Sequence, residues 1–393
     1  MHLALWHALP PAWLRGPLAQ FNRANPWGIR VEARAFPDEA ALQAALPQAE
    51  AGTLILGYPM LYTGWPQDFT DMQPWVESAS YGFSAAEQGD FIPVFWQEGV
   101  VNGQRYAVPL LRNAAFLVRN HSWAAELGFA PIPGDVAAFQ QQSCAANTAL
   151  KHDADVYNDG LGGWVVNTRP EVMLGWLYAF QAPISETGSH YTFDTPEAES
   201  TFTFLKALYD QDCAWVGTEP YPDAYLGARQ ALFAAATLSD LPFIAQAFDE
   251  AGNPDTWGAL PFPSPDGESP VLPTFGPSFA VIQTTEPQQA LAAWLFMRAM
   301  LATEVQTQLV QQSGYLPVRQ SALQAYGAPR PAWQAVADAL PYARPEPAFP
   351  SWNVVQWVLQ DAGAQLFQPY FTPERIPDTL ELLDETANEL ISP

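Results

Sequence analysis

The sequence predicts an α/β fold in which parallel strands are covered by helices. The first sixty residues alternate strand-like and helix-like patterns in close succession. At 393 residues, with 49% hydrophobic and 15% charged side chains, the chain has the length for two domains or one large one and for a real core. The 38 prolines are scattered, which favours long ordered loops over linkers, and no internal repeat or low-complexity tract interrupts the pattern.

Taken in order, "LALWHAL" (3–9) reads as a strand. "AWLRGPLAQFNRANP" (12–26) carries Trp13, Leu14, Leu18 and Phe21 at helical spacing and stops at Asn25-Pro26. "IRVEARA" (29–35) alternates as a strand, "DEAALQAALPQAEAG" (38–52) is helical up to Gly52, and "TLILG" (53–57) is a short buried strand. Such a β-α-β-α-β order implies a parallel sheet, and ligands on such sheets bind at the carboxyl ends of the strands. Here that means Trp6-His7, Phe36 and Tyr58-Pro59. "GQRYAVPLLRNAAFLVRN" (103–120) is a long extended run containing Pro109. "DTPEAESTFTFLKALYDQDC" (194–213) is a helix with Asp194 as N-cap and Glu197 completing a capping-box pattern. "LPTFGPSFAVIQTT" (272–285) is extended and leads into one long helix from Pro287 to Val310, stopped by Gly314. Tyr315, Leu316 and Pro317 follow directly, and such apolar side chains are expected to pack on the core or on a ligand.

A net charge of -25 argues against nucleic acid as a partner and against adsorption to an anionic membrane. The excess acid serves solubility first. Fifteen Trp, 14 Tyr and 23 Phe are mostly core, yet such a supply suits a cleft that stacks the flat faces of sugars. No run approaches ~20 apolar residues, so no membrane span is expected. The chain starts directly on a strand-like segment, so it is either cytosolic or relieved of a leader. Cys144 and Cys213, each near a predicted helix end, are equally compatible with a disulfide and with two buried thiols.

Catalytic and cofactor motifs are missing. Neither Lys151 nor Lys206 follows a glycine, so there is no P-loop. "GLGGWV" (160–165) places Val165 where a dinucleotide fold needs its third glycine. "DADVYNDG" (153–160) reads as a turn rather than a calcium loop, because Tyr157 and Val166 fall at ligand positions. His2, His7, His121, His152 and His190 lack metal-site spacing. The 41 acidic residues show no spacing that selects a glycosidase pair.

The joint order of five segments resembles the bacterial extracellular solute-binding proteins of ABC importers, in the maltose/glycerol-phosphate-binding class. They are "LALWHAL", "LAQFNRANPWGIRVEARAF", "NGQRYAVPLLRNAAFLVRNHSWAAELGF", "TFGPSFAVIQTT" and "SGYLPVRQSAL". The resemblance implies a two-lobed periplasmic-binding-protein-like fold, each lobe a sheet flanked by helices, with the ligand cleft between. Lobe one is expected at 1–111 and 275–315, lobe two at 114–272 and 316–393, with hinges near 112–113, 273–274 and 315–316. It implies capture of a sugar or oligosaccharide by hinge closure and delivery to a membrane permease, by a monomer outside the cytoplasm, without cofactor, metal or catalysis. An exported chain would bridge Cys144 and Cys213.

By the same resemblance, Trp6, His7, Tyr58, Arg112 and Asn113 are expected to meet the ligand from the first crossing and the strand ends. Ser239 corresponds to a serine of an "S-x-L" turn, Gly276 lets the backbone approach, and Tyr315 lines the cleft. Trp164, after Gly162-Gly163, suits a stacking platform, and Trp352 stacks from the C-terminal part. The runner-up solute is a glycerol phosphate or its diester. Pro350 or Ser351 stands where such relatives carry an arginine, which leaves Arg112 to serve an anion. A secreted glycan-acting enzyme is the alternative of another class, marked by two carboxylates facing each other across the cleft.

Overall fold

The computed structural model describes residues 1–63, 66–185, 190–219, 221–327 and 330–391. Two compact units emerge. Unit 1 comprises Met1–Asn113, Phe275–Ala328 and Pro347–Pro350; unit 2 comprises Ala114–Thr274, Pro329–Glu346 and Ser351–Pro393. Among the described residues no helix is long and apolar enough to cross a membrane.

Unit 1 is built on a five-stranded sheet in the order Arg30–Ala35, His2–His7, Leu54–Gly57, Ser278–Val281, Val108–Pro109. The first three strands run parallel, as the alternating N-terminal pattern predicts. Ser278–Val281 then inserts antiparallel between Leu54–Gly57 and Val108–Pro109. Helix Pro11–Ala24 starts on a proline, whose missing N–H costs nothing at that position, and buries Leu14, Pro17 and Phe21. Asn25 ends it: its amide donates to Phe21 O and Ile29 O while its Oδ1 accepts from Ile29 N, which bends the chain into the next strand. Asn22 occupies both backbone groups of Val31 on the edge strand, which blocks strand addition at that residue.

Three sequence expectations change. The helix expected over 38–52 is α-helical only over Glu39–Ala45, capped by Asp38, because Pro47 turns the continuation into a 3-10 segment. The long helix is two, Pro287–Met300 and Thr303–Ser313, separated where Ala302 is extended (ψ 143°). Gly314 does cap the second at φ 74°. Residues 316–328 belong with unit 1, not with the second lobe. Leu316 pairs with Arg112, Gln306 bonds both Leu110 O and Val318 N, and Asp90 receives Ser321 N, so backbone groups tie the segment there.

In unit 2, the later residues of strand Leu111–Asn120 pair antiparallel with Phe233–Thr237 and with Trp257–Leu260. Phe233–Thr237 lies parallel to Trp164–Val165, and that strand to Ala214–Trp215. Phe139, Trp164, Trp176 and Phe233 interlock in the core at ring distances of 4.7–6.4 Å. Helix Pro196–Asp210 is capped by Thr195 rather than Asp194, because Pro196 takes the first helical position and the threonine hydroxyl accepts from Ala198 N. Cys144 lies inside helix Val136–Lys151 rather than near its end, and is bridged to Cys213.

Candidate functional site

In unit 1 the carboxyl ends of three parallel strands gather aromatic and titratable side chains. Trp6 is 9% exposed and tilts against Phe36 at 5.4 Å, with the Arg34 guanidinium over both rings at 4.9 and 4.6 Å. His7 is 2% exposed, and burial holds its pKa below the ordinary value. A neutral ring 3.1 Å from Leu9 O donates through Nδ1, since a carbonyl only accepts. Tyr58 is half-buried, and its backbone amide donates to Glu39. Burial pushes Glu39 up to about 7, against that amide and with help from Asp38. A cavity of about 690 Å³ lies on the same unit, lined by Leu46, Leu61, Gln67, Asp68, Phe69 and Ile282 among others.

The other unit 1 candidates form a buried knot instead. Arg112 is fully buried. Its Nε bonds both Glu98 oxygens at 3.0 and 3.1 Å, one terminal nitrogen donates to Leu111 O and Pro277 O, and the other to Ser278 Oγ. The fork, expected to meet a ligand, is here engaged by protein partners. Asn113 beside it is 3% exposed. Gly276 has φ 149°, and a Cβ there would lie 2.6 Å from Leu111 O. The glycine answers to a close pass of backbone on backbone. Tyr315 is 9% exposed and meets Trp13 edge-on at 5.0 Å, packing helix Thr303–Ser313 toward helix Pro11–Ala24.

Unit 2 separates its candidates. Trp164 is 0% exposed within the aromatic core, so the expected stacking platform on an exposed loop is corrected to a core residue. Trp352 is 1% exposed, beside Tyr191 at 6.3 Å, and the Tyr191 hydroxyl pairs with Ser351 Oγ at 2.9 Å. Ser239 is half-buried in the turn after strand Phe233–Thr237.

At the carboxyl end of Trp164–Val165 lies a cavity of about 240 Å³ that sequence reasoning missed. It is lined by Val166, Asn167, Thr168, Arg169, Glu219 and Gln360, among others. Arg169 Nε stands 3.2 Å from Glu171, and a terminal nitrogen donates to Asp240 at 2.9 Å. Asp240 is itself pinned by Thr237 N and Oγ1 at 2.7 and 3.1 Å. Burial raises Glu171, and burial together with Asp240 pushes Asp223 up to about 6. The signal was legible as "VVNTRPE": polar residues between a buried strand and a proline-started helix, Pro170–Ala179, mark a strand-turn-helix corner.

The fold is shared with solved two-lobe binding proteins along the whole chain. The sugar-binding protein MalE of Xanthomonas citri superposes with a TM-score of 0.83 at 16% identity, covering 100% of this chain and 98% of that one. The cyclic alpha-maltosyl-1,6-maltose binding protein of Arthrobacter globiformis gives 0.78 at 15%, covering 100% and 99%. UgpB of Mycobacterium tuberculosis, solved with glycerophosphocholine, gives 0.74 at 18%, covering 99% and 98%. Among curated proteins none matches by sequence. The family model of the bacterial extracellular solute-binding proteins matches residues 18–341. The chain therefore belongs to the bacterial extracellular solute-binding proteins, a family that works outside the cytoplasm.

Proposed function

We propose that this protein captures a sugar or oligosaccharide and hands it to the membrane permease of an ABC importer, as a monomer and without chemical change to the solute. The likeness to the solved sugar-binding protein MalE and the cyclic alpha-maltosyl-1,6-maltose binding protein supports this reading most. Capture would proceed by closure of two lobes about crossings near 112–113 and 273–274, because closure is driven only when the closed form gains contacts with the ligand. Glycerophosphodiester capture is the second reading, supported by the likeness to UgpB.

A thermal-shift panel of neutral sugars and glycerol phosphodiesters tests it. A ligand bound only by the folded protein stabilises it by about 2.7 kcal/mol at one hundred times its Kd, which reads as a clear rise in Tm. A rise with a neutral saccharide and no product on chromatography supports the proposal. Silence from every saccharide, or turnover of a bound one, defeats it.

A further inference from the structure

We propose that Arg169, clamped between Glu171 and Asp240, sets the solute class of the unit 2 cavity: it admits neutral polyhydroxylated solutes and turns phosphates away. This deepens the carbohydrate reading and rests on the solute entering that cavity. An arginine that recognises phosphate needs its planar fork open, so that two parallel N–H groups meet two oxygens. Here one edge of the fork, made by Nε and a terminal nitrogen, already faces carboxylates, as an ion pair at 3.2 Å for Glu171 and a hydrogen bond at 2.9 Å for Asp240. Neither carboxylate can swing away cheaply. Asp240 is held by the Thr237 amide and hydroxyl, and Glu171 sits in the first turn of helix Pro170–Ala179, where the helix dipole favours an anion.

The remaining titratable neighbours add negative charge. Glu219 lines the cavity, and Asp223 interacts with both Asp240 and Arg169. Among the described lining residues Arg169 is the one cation. A phosphate would meet a guanidinium already paired with two carboxylates, with the Glu219 carboxylate on the cavity wall. A neutral hydroxyl escapes that repulsion, and it can donate to a carboxylate or accept from the Asn167 amide and the Thr168 hydroxyl. Hydrogen bonds with one charged partner are also the stronger kind.

The test is titration calorimetry with sn-glycerol 3-phosphate against the wild type, Glu171→Gln, Asp240→Asn, Asp223→Asn and the Glu171→Gln/Asp240→Asn pair, each first checked by circular dichroism. The wild type should show no phosphate binding at millimolar concentration. Each carboxylate removed should strengthen phosphate binding on the order of tenfold, as expected for one unit charge a few ångströms away in a half-buried site. The gain should shrink with added salt and vanish when Arg169→Gln is added to the pair. Tight phosphate binding by the wild type, or folded variants that bind phosphate no better than it does, overturns the proposal. Should Asp240→Asn fail to fold, Glu171→Gln and Asp223→Asn decide alone. A parallel arm with neutral saccharides keeps the two claims apart: silence there removes the carbohydrate reading, while the phosphate series still judges Arg169.

Discussion

Glu39 stands at the start of helix Glu39–Ala45 with its Oε2 facing no donor and within reach of Gly57, where a Cβ would come within 2.8 Å of it. Burial raises its pKa from 4.5 to about 7. Between those values the folded chain holds a proton that the unfolded chain has released. Stability therefore falls as pH rises from about 4.5 to about 7, and the whole cost is present above that. Its ceiling is about 3 kcal/mol. Glu39→Gln should accordingly stabilise the protein at pH 8 by about 1–3 kcal/mol and do little at pH 4.5. Urea unfolding at both values checks this, and equal shifts at the two would refute it. Tyr315 makes a different case. Its ring is buried against Trp13, so Tyr315→Ala should lower ligand-free stability by about 3–5 kcal/mol, as core truncations do. Calorimetry of the ligand-free mutant decides, and an unchanged Tm would return Tyr315 to the list of ligand contacts. Residue roles were the least legible part of the sequence. Gly162-Gly163 suggested an exposed loop before Trp164, yet a Cβ at either would collide with backbone, 2.6 Å from Asn147 N and 2.1 Å from Cys213 O. The glycines mark tight packing, and spacing alone does not tell the two apart.

Elements were more legible, because periodicity and capping are local. The three parallel strands and helix Pro11–Ala24 fall within a residue or two of expectation. Two errors were local, at Pro47 and Pro196, but Ala302 is extended where its own sequence offers no stop signal, and the next residue, Thr303, bonds Ser321 Oγ beyond the following helix. The cysteines sat between the two cases, since the sequence left bridge and thiols open and only the approach of Val136–Lys151 to the turn after Pro196–Asp210 brings them together. With a sequence separation of 69, the bridge should stabilise by about 4 kcal/mol on the chain-entropy model. Reduction under native conditions should lower the urea midpoint of unit 2. Identical midpoints with and without reductant would show that the unfolded chain gains nothing from losing the bridge.

For the molecule as a whole, the fold class was legible from the N-terminal alternation, and the family from the order of weak segments along the chain, matched over residues 18–341. The cavity beside Arg169 was legible only in part: the corner from Asn167 to Glu171 is one local signal, while Asp223 and Asp240 reach it from separate turns of unit 2. One feature of unit 1 bears on how the chain is made. Its fourth strand, Ser278–Val281, is flanked by strands that end at residues 57 and 109. During synthesis, Leu54–Gly57 waits with one apolar edge unpaired until more than two hundred further residues have emerged. Pairing across so long a loop is slow to form, and an open edge is a template for the wrong neighbour. A chain that cannot close its first sheet early stays slack for most of its translation. Refolding of unit 1 should accordingly be limited by docking of this late strand, and an equally slow phase in a chain lacking residues beyond 274 would contradict that.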